Sequence, residues 1–150
     1  MSKQFLSRKG NAMLEFALAA GILFPAFIGT FQFGYTFYIY NNLNTAVRGG
    51  ARYASMQSYD SASSTPSAAF TTAVKNVVIY GNSAGTGNPI VTGLGPDNVQ
   101  VLAVMKGSIP SSLTVRITGF KIDAVFMSFT FNGKPGTTFA YTGTAAPPTT

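Results

Sequence analysis

The chain has 150 residues and a net charge of +6, and it contains no Cys, His or Trp. The absence of cysteine excludes disulfides, and the absence of histidine removes the commonest acid–base group and metal ligand. The few carboxylate side chains are too scattered along the chain for a paired acid–base site, so the sequence predicts no enzyme, no cofactor and no metal.

A short basic stretch precedes a long uncharged one near the N-terminus. Lys3, Arg8 and Lys9 come first, and no residue from 16 to 47 carries a charge. A helix of about 20 apolar residues crosses a bilayer, and positive residues beside a span stay on the cytoplasmic side. The pattern predicts a membrane span at about residues 14–40, with the N-terminus in the cytoplasm and the remainder of the chain exported.

Glu15 stands at the head of this apolar stretch, where a carboxylate costs on the order of 2.5–3.5 kcal/mol and usually has a partner. The spacing from Gly10 to Glu15 resembles the processing signal of type IV prepilins. That resemblance implies cleavage between Gly10 and Asn11 by a dedicated membrane peptidase, and pairing of Glu15 with the new N-terminal amine of a neighbouring subunit. The spacing also occurs by chance, but its place between a basic leader and a span favours the signal.

The rest of the span carries a more specific resemblance. Residues 29–40, GTFQFGYTFYIY, and residues 46–54, AVRGGARYA, resemble the TadE-like pseudopilins of the tight-adherence (Tad, or Flp) pilus. The family often has an acid and a basic residue around the Phe-Gly pair, where this chain has Gln32 and Tyr35. The resemblance implies that the partners are other pilin or pseudopilin subunits, the prepilin peptidase, the inner-membrane assembly platform and the lipid bilayer. The predicted assembly residues are Glu15, Phe16, Arg48 and Arg52.

Arg48 and Arg52 are four residues apart, on one face of a helix. Either they lie just outside the membrane, solvated by lipid phosphates and water, or they pair with an acid of a neighbouring subunit. The other cations outside the leader stand singly along the chain, which gives no basic stripe for phosphate binding. We therefore expect no nucleic-acid partner.

The first predicted element is a helix over about residues 11–56. Pro25 removes one backbone hydrogen bond and is expected to bend it, and Gly49-Gly50 weakens its far end at about 1 kcal/mol per glycine. The aromatic residues between 31 and 40 predict a belt at the membrane boundary.

A second helix is predicted over residues 66–80. Residues 57–64 are expected to form an exposed connection. Thr65 would then be the N-cap, with Pro66 at the first helical position, and Gly81 would end the helix. Residues 81–96 are rich in glycine and predict a flexible surface loop.

The C-terminal third shows the alternation of strands. It predicts an antiparallel hairpin of residues 99–106 and 111–119 around residues 107–110, and a third strand over 137–144. Residues 125–131 are either a fourth strand or an apolar loop under the sheet. Residues 145–150 are predicted to be a frayed tail.

These elements predict an α+β fold, in which a long transmembrane helix precedes a small head with one helix on a three- to four-stranded antiparallel sheet. The predicted domains are a leader at 1–10, the long helix at 11–56 and an exported head at 57–150. The resemblance implies a structural subunit, inserted in the bacterial inner membrane and assembled into or at the base of a type IV-like filament for adhesion or secretion. The alternatives are an uncleaved single-span protein whose head binds a partner or polysaccharide, and the major subunit of a filament.

Overall fold

The computed structural model describes residues 8–123 and 128–144, which form helices and antiparallel strands, and it confirms the α+β class. By its internal contacts the chain divides into two compact units, Met1–Thr36 and Phe37–Thr150. The two helices are α1 (Arg8–Met56) and α2 (Ala68–Tyr80), with a short 3₁₀ helix at Pro96–Asn98. The strands are β1 (Val99–Lys106), β2 (Ile109–Ile117), β3 (Phe120–Asp123), β4 (Ser128–Phe131) and β5 (Gly136–Ala140).

In the first unit, α1 runs without a break through Pro25. The hydroxyl of Thr30 donates to the carbonyl of Ala26 at 2.9 Å, and that of Thr36 donates to the carbonyl of Gln32 at 3.0 Å. These two bonds satisfy polar side chains within the helix itself. The bend expected at Pro25 stays a prediction.

In the second unit, α1 buries one stripe of its surface. Ile39, Leu43 and Val47 recur at intervals of four, and the same face continues through Ala51 and Ala54. Such spacing lines one side of a helix. The stripe packs into a single core together with side chains of α2, β1, β2 and β3.

Gly50 lies in this stripe where α1 meets α2. A Cβ atom at position 50 would overlap Cγ2 of Val78, and both residues are buried. At the adjacent Gly49 the corresponding space is open. Gly50 therefore has a packing role. This role is additional to the low helix propensity that the sequence analysis assigned to both glycines.

The second helix begins two residues later than the sequence predicts. Ser67, not Thr65, is the N-cap of α2, because its Oγ accepts a hydrogen bond from the backbone N–H of Phe70 at 3.1 Å. Gly81 ends the helix as predicted, with a φ of 77° and its N–H bonded to the carbonyl of Val77 at 2.9 Å.

The predicted hairpin is confirmed, with β2 beginning at Ile109. The strands β1 and β2 pair antiparallel, Val101 lies opposite Val115, and the register shifts between Val104 and Met105. The third strand predicted over 137–144 is confirmed in part: β5 pairs antiparallel with β2 but ends at Ala140, so residues 141–144 are not part of the strand. The sheet order is β1-β2-β5.

A second sheet was not predicted. The strands β3 and β4 pair antiparallel with each other and form a two-stranded sheet of their own. Residues 128–131 of the predicted 125–131 segment are thus a strand, but they do not extend the three-stranded sheet. Residues 124–127, like the predicted tail at 145–150, lie outside the described residues.

The connections are less exposed than expected, because buried residues anchor them. Tyr59 is only 1% exposed, so the prediction of an exposed connection at 57–64 is wrong at this position. Val91 and Leu94 are buried in the same way within the glycine-rich loop that follows α2. The backbone N–H of Ile90 donates to the carbonyl of Ile79 at 2.7 Å, which fastens that loop to α2.

Residues 141–144, which follow β5, bond to the end of α1; we call them the clasp. The carbonyl of Ser55 accepts hydrogen bonds from the N–H groups of Thr142 and Gly143, both at 2.9 Å. The hydroxyl of Tyr141 accepts from the N–H of Tyr59 at 2.9 Å and lies 2.9 Å from the carbonyl of Gln57. The clasp thus gives the carbonyl of Ser55, in the last turn of α1, the partners that terminal helical carbonyls otherwise lack.

Candidate functional site

The predicted processing junction lies in the first turns of α1. Gly10 and Asn11 are both exposed, and a Cβ atom at position 10 would meet no atom within 4 Å. Within the first unit, the backbone at this junction is therefore open to an approaching molecule. Lys3, the basic residue of the leader before Arg8, lies outside the described part of the chain.

Glu15 and Phe16 follow one to two turns later on the same helix. Both side chains are exposed, and Phe16 is 74% exposed. Among the described residues, no cation forms an ion pair with Glu15. The carboxylate therefore stands at the surface of an apolar helix segment, where a charged group usually has a partner, and the described part of the chain supplies none.

The surface of α1 in the first unit is apolar on every side. Ile22, Leu23 and Phe24 are consecutive, so they point to three different sides of the helix, and they are 76%, 72% and 63% exposed. A helix that is hydrophobic all round lies in a protein core or in a membrane. The other large apolar side chains exposed between Gly10 and Thr36 are Met13, Leu14, Phe16, Leu18, Phe27, Ile28, Phe31, Phe33 and Tyr35.

Length and composition agree with this exposure. Among the described residues, α1 is the helix that is long and apolar enough to cross a membrane, and its most apolar window has a mean hydropathy of 1.9 and no buried residue. A helix rises 1.5 Å per residue. The predicted span at residues 14–40 would therefore extend over about 40 Å, more than the roughly 30 Å of a hydrocarbon core.

The aromatic residues between 31 and 40 separate into two groups. Phe37 and Tyr38 are exposed, like the aromatic residues of the first unit before them. Tyr40 is half-buried, and its ring centroid lies 5.9 Å from that of Phe131. Tyr40 therefore packs within the second unit, and the predicted belt at the membrane boundary applies to the exposed aromatic residues alone.

Arg48 and Arg52 lie on the exposed face of α1 in the second unit, away from the buried stripe. In the described part of the chain, neither forms an ion pair. Both predicted environments, lipid headgroups and an acid of a neighbouring subunit, are compatible with this exposure. The structure thus brings together Gly10, Asn11, Glu15 and Phe16 on the first unit and the two arginines on the second.

Two features of the second unit have no counterpart in the sequence prediction. One is the clasp, which joins residues more than eighty positions apart. The other is a groove lined by Arg116 and Lys134, two cations that stand singly in the sequence. Neither feature has a local motif, because each arises from contacts between distant segments. Among the residues that the structure describes, no group of His, Cys, Asp or Glu has the arrangement of a metal site.

The family model described as TadE-like protein matches residues 10–52. The match falls within α1 and confirms the resemblance carried by this segment of the sequence. No curated protein matches the chain, and no solved structure does. The apolar N-terminal helix, which is similar to the TadE-like family over the matched residues, fits a membrane-anchored protein.

Proposed function

We propose that this chain is a TadE-like pseudopilin that α1 holds in the inner membrane, that is processed after Gly10, and that is assembled into or at the base of a type IV-like filament. The observation that carries the proposal is the apolar surface on all sides of α1 in its first unit, directly behind the Gly10–Glu15 junction. This surface requires lipid or other helices as its surroundings.

Membrane orientation follows from charge. Lys3, Arg8 and Lys9 precede the apolar segment, and positive residues flanking a span are retained on the cytoplasmic side. The N-terminus would then remain in the cytoplasm, within reach of a membrane peptidase at Gly10, and the second unit would be exported. As an exported subunit it would act by assembly in adhesion or secretion and not by catalysis.

Glu15 would act during assembly. Cleavage after Gly10 creates an ammonium group at Asn11, and in a bundle of α1 helices this positive charge enters apolar surroundings. The carboxylate of a neighbouring subunit's Glu15 would neutralise it. Removing one partner of such a buried pair typically costs about 3–5 kcal/mol. The exposed Phe16 beside it and the exposed arginines at positions 48 and 52 would contact other subunits.

The test of processing compares two glycines of α1. We expect co-expression with a prepilin peptidase to shorten the parent chain to one that begins at Asn11. Gly10→Val should block this cut, because a branched side chain clashes in a site that accepts a small residue. Gly21→Val is the matched control, because Gly21 is equally exposed and open, and it should be processed normally. Intact mass and N-terminal sequencing distinguish the products.

The test of assembly removes the charge of Glu15. Glu15→Gln should be made, inserted and cleaved, yet absent from sheared filaments. Asp97→Asn makes the same chemical change at an exposed carboxylate outside α1 and should leave incorporation unchanged. Incorporation of the Glu15→Gln protein at the parental level would show that Glu15 is not an assembly contact. A parent chain that retains Met1 in the presence of the peptidase would instead favour an uncleaved single-span protein.

A further inference from the structure

A groove of about 400 Å³ in the second unit is lined by α1, β2, β5 and the turn before β5. Two positive side chains line it, those of Arg116 on β2 and Lys134 in the turn, and no carboxylate does. Among the described residues, neither cation forms an ion pair, since the one ion pair there joins Lys121 to Asp123. The groove therefore presents uncompensated positive charge in a concave setting.

Arg116 is held in a fixed position. Its Nε donates a hydrogen bond to Oε1 of Gln100 at 2.8 Å, across the β1–β2 pair. An arginine carries five N–H donors in a planar fork, so four remain for a ligand. A guanidinium oriented in this way suits the two oxygens of a carboxylate, which it can bind through two parallel hydrogen bonds.

The turn that carries Lys134 is fastened to the same strand. The N–H of Gly133 donates to the carbonyl of Ile117 at 2.8 Å, and the N–H of Ile117 donates to the carbonyl of Pro135 at 3.0 Å. At Gly136 the chain passes so close to β2 that an added Cβ would lie 3.0 Å from Cβ of Arg116. The backbone segments that carry the two cations are thus fastened to each other, which lowers the backbone entropy lost on binding.

The remaining polar side chains of the groove are neutral. Thr114 and Thr138 face each other on neighbouring strands, with their hydroxyl oxygens 2.7 Å apart. The amide of Asn44 and the half-buried Tyr40 complete the lining from α1. Hydroxyl, amide and phenol groups both donate and accept hydrogen bonds, which is the chemistry that pairs with the hydroxyl groups of a sugar.

We propose that this groove binds an acidic sugar unit of a polysaccharide. The carboxylate of the sugar lies against Arg116 and Lys134, and its hydroxyl groups bond to Asn44 and to the threonine pair. An acidic peptide also offers carboxylates to the two cations and backbone amides to the neutral groups, so it is the alternative ligand that the experiment below distinguishes from the sugar. The site goes beyond the pilus-subunit assignment and does not depend on processing or assembly.

The experiment titrates the full-length chain in detergent micelles with trigalacturonic acid and, separately, with its neutral methyl ester, by calorimetry. Binding should be seen with the acid and be much weaker with the ester. Arg116→Gln and Lys134→Gln should each weaken binding by about tenfold, as expected for the loss of a hydrogen bond between charged groups. Lys106→Gln is the matched control, because it removes the charge of an exposed lysine at the end of the β1–β2 pair that is farther from Arg116. This variant should bind as the parent does.

Several outcomes would contradict the proposed acidic-sugar site. Equal binding of the acid and its ester would exclude recognition of the carboxylate, and equal weakening by Lys106→Gln would indicate general attraction between charges. Absence of binding would refute the proposal, and tighter, Arg116-dependent binding of tri-aspartate would identify an acidic protein segment as the ligand instead. Lys134 is exposed, so Lys134→Gln keeps the test valid if Arg116→Gln perturbs folding, which circular dichroism would report.

Discussion

Tyr59 combines a buried ring with a hydroxyl group that must stay protonated. The ring packs edge-on against Phe70 and Tyr141, with centroid distances of 5.4 and 6.3 Å, and the hydroxyl donates to the carbonyl of Ser63 at 2.7 Å. Burial raises the pKa of Tyr59 above its ordinary value of 10.0, and the neighbouring Asp60 carboxylate and Tyr141 raise it further. The folded chain therefore disfavours the tyrosinate.

This shift makes the second unit sensitive to alkali. In the unfolded chain Tyr59 ionises near pH 10, whereas in the folded chain it stays protonated to higher pH. Its contribution to stability is therefore complete below pH 10 and is lost as the pH rises through the raised pKa. Thermal unfolding followed by near-ultraviolet circular dichroism should show a steeper loss of stability above pH 10 for the parent than for Tyr59→Phe. Identical slopes for the two proteins would contradict the assignment.

At the scale of elements, periodicity and turn residues were sufficient to predict α1, the hairpin and β5. A long uncharged segment that spans a membrane forms a helix, because a helix satisfies its own backbone hydrogen bonds. In the hairpin, the alternation around Val101 and Val115 places their side chains on the core face. The N-cap of α2 was misplaced because Thr65 and Ser67 are both good capping residues. In the structure Ser67 accepts from the N–H of Phe70, while the backbone of Thr65 bonds to the hydroxyl of Ser63 before the helix begins.

The strand β3 escaped prediction because it has only four residues, too few for alternation to be recognised. It follows Gly119 directly, with a φ of 64° at that glycine, and pairs with β4 from Phe120 opposite Phe131 to Asp123 opposite Ser128. Its two inward residues, Phe120 and Ile122, are nevertheless buried. Short strands of this kind are specified by what they cover and not by their own sequence.

The packing of α1 on α2 makes adjacent glycines respond oppositely to the same change. Gly49→Ala should stabilise the chain by up to about 1 kcal/mol, because alanine is the better helix former and the site is open. Gly50→Ala should destabilise it by about 1–3 kcal/mol, because the added methyl group presses on the buried Val78. Urea unfolding in detergent would measure both. Val78→Ala should relieve the second effect in the double variant, and a stabilising Gly50→Ala would refute the close approach.

At the scale of the whole molecule, the clasp and the groove lined by Arg116 and Lys134 are the features that could not be predicted from the sequence. Tyr59 and Tyr141 are 82 positions apart, and the groove joins Asn44 of α1 to Lys134. No spacing rule relates such positions, because their proximity depends on the register of the sheet and on the path of the turn before β5. The proposed assembly residues, by contrast, lie on one helix, so their order along α1 follows from the sequence, while their role in assembly stays a prediction.

The clasp should contribute measurably to stability. Tyr141→Phe removes the hydroxyl group that accepts from the N–H of Tyr59, while that N–H keeps its bond to the carbonyl of Thr144 at 3.1 Å. The loss of a hydrogen bond of this kind typically costs about 0.5–1.5 kcal/mol. Tyr80→Phe is the control, since the Tyr80 hydroxyl makes no hydrogen bond within the described part of the chain, and it should change the free energy of unfolding little. Equal effects of the two substitutions would show that the clasp is not stabilising.

The clasp also sets the order in which the second unit can be completed. Synthesis proceeds from the N-terminus, so the carbonyl of Ser55 is made long before the N–H groups of Thr142 and Gly143 that bond to it. Likewise β2 has β1 beside it at once, while its other edge waits for β5. An unpaired strand edge is a template for pairing with other chains. The second edge of β2 is therefore open to pairing with other chains from the synthesis of Ile117 until β5 has been made.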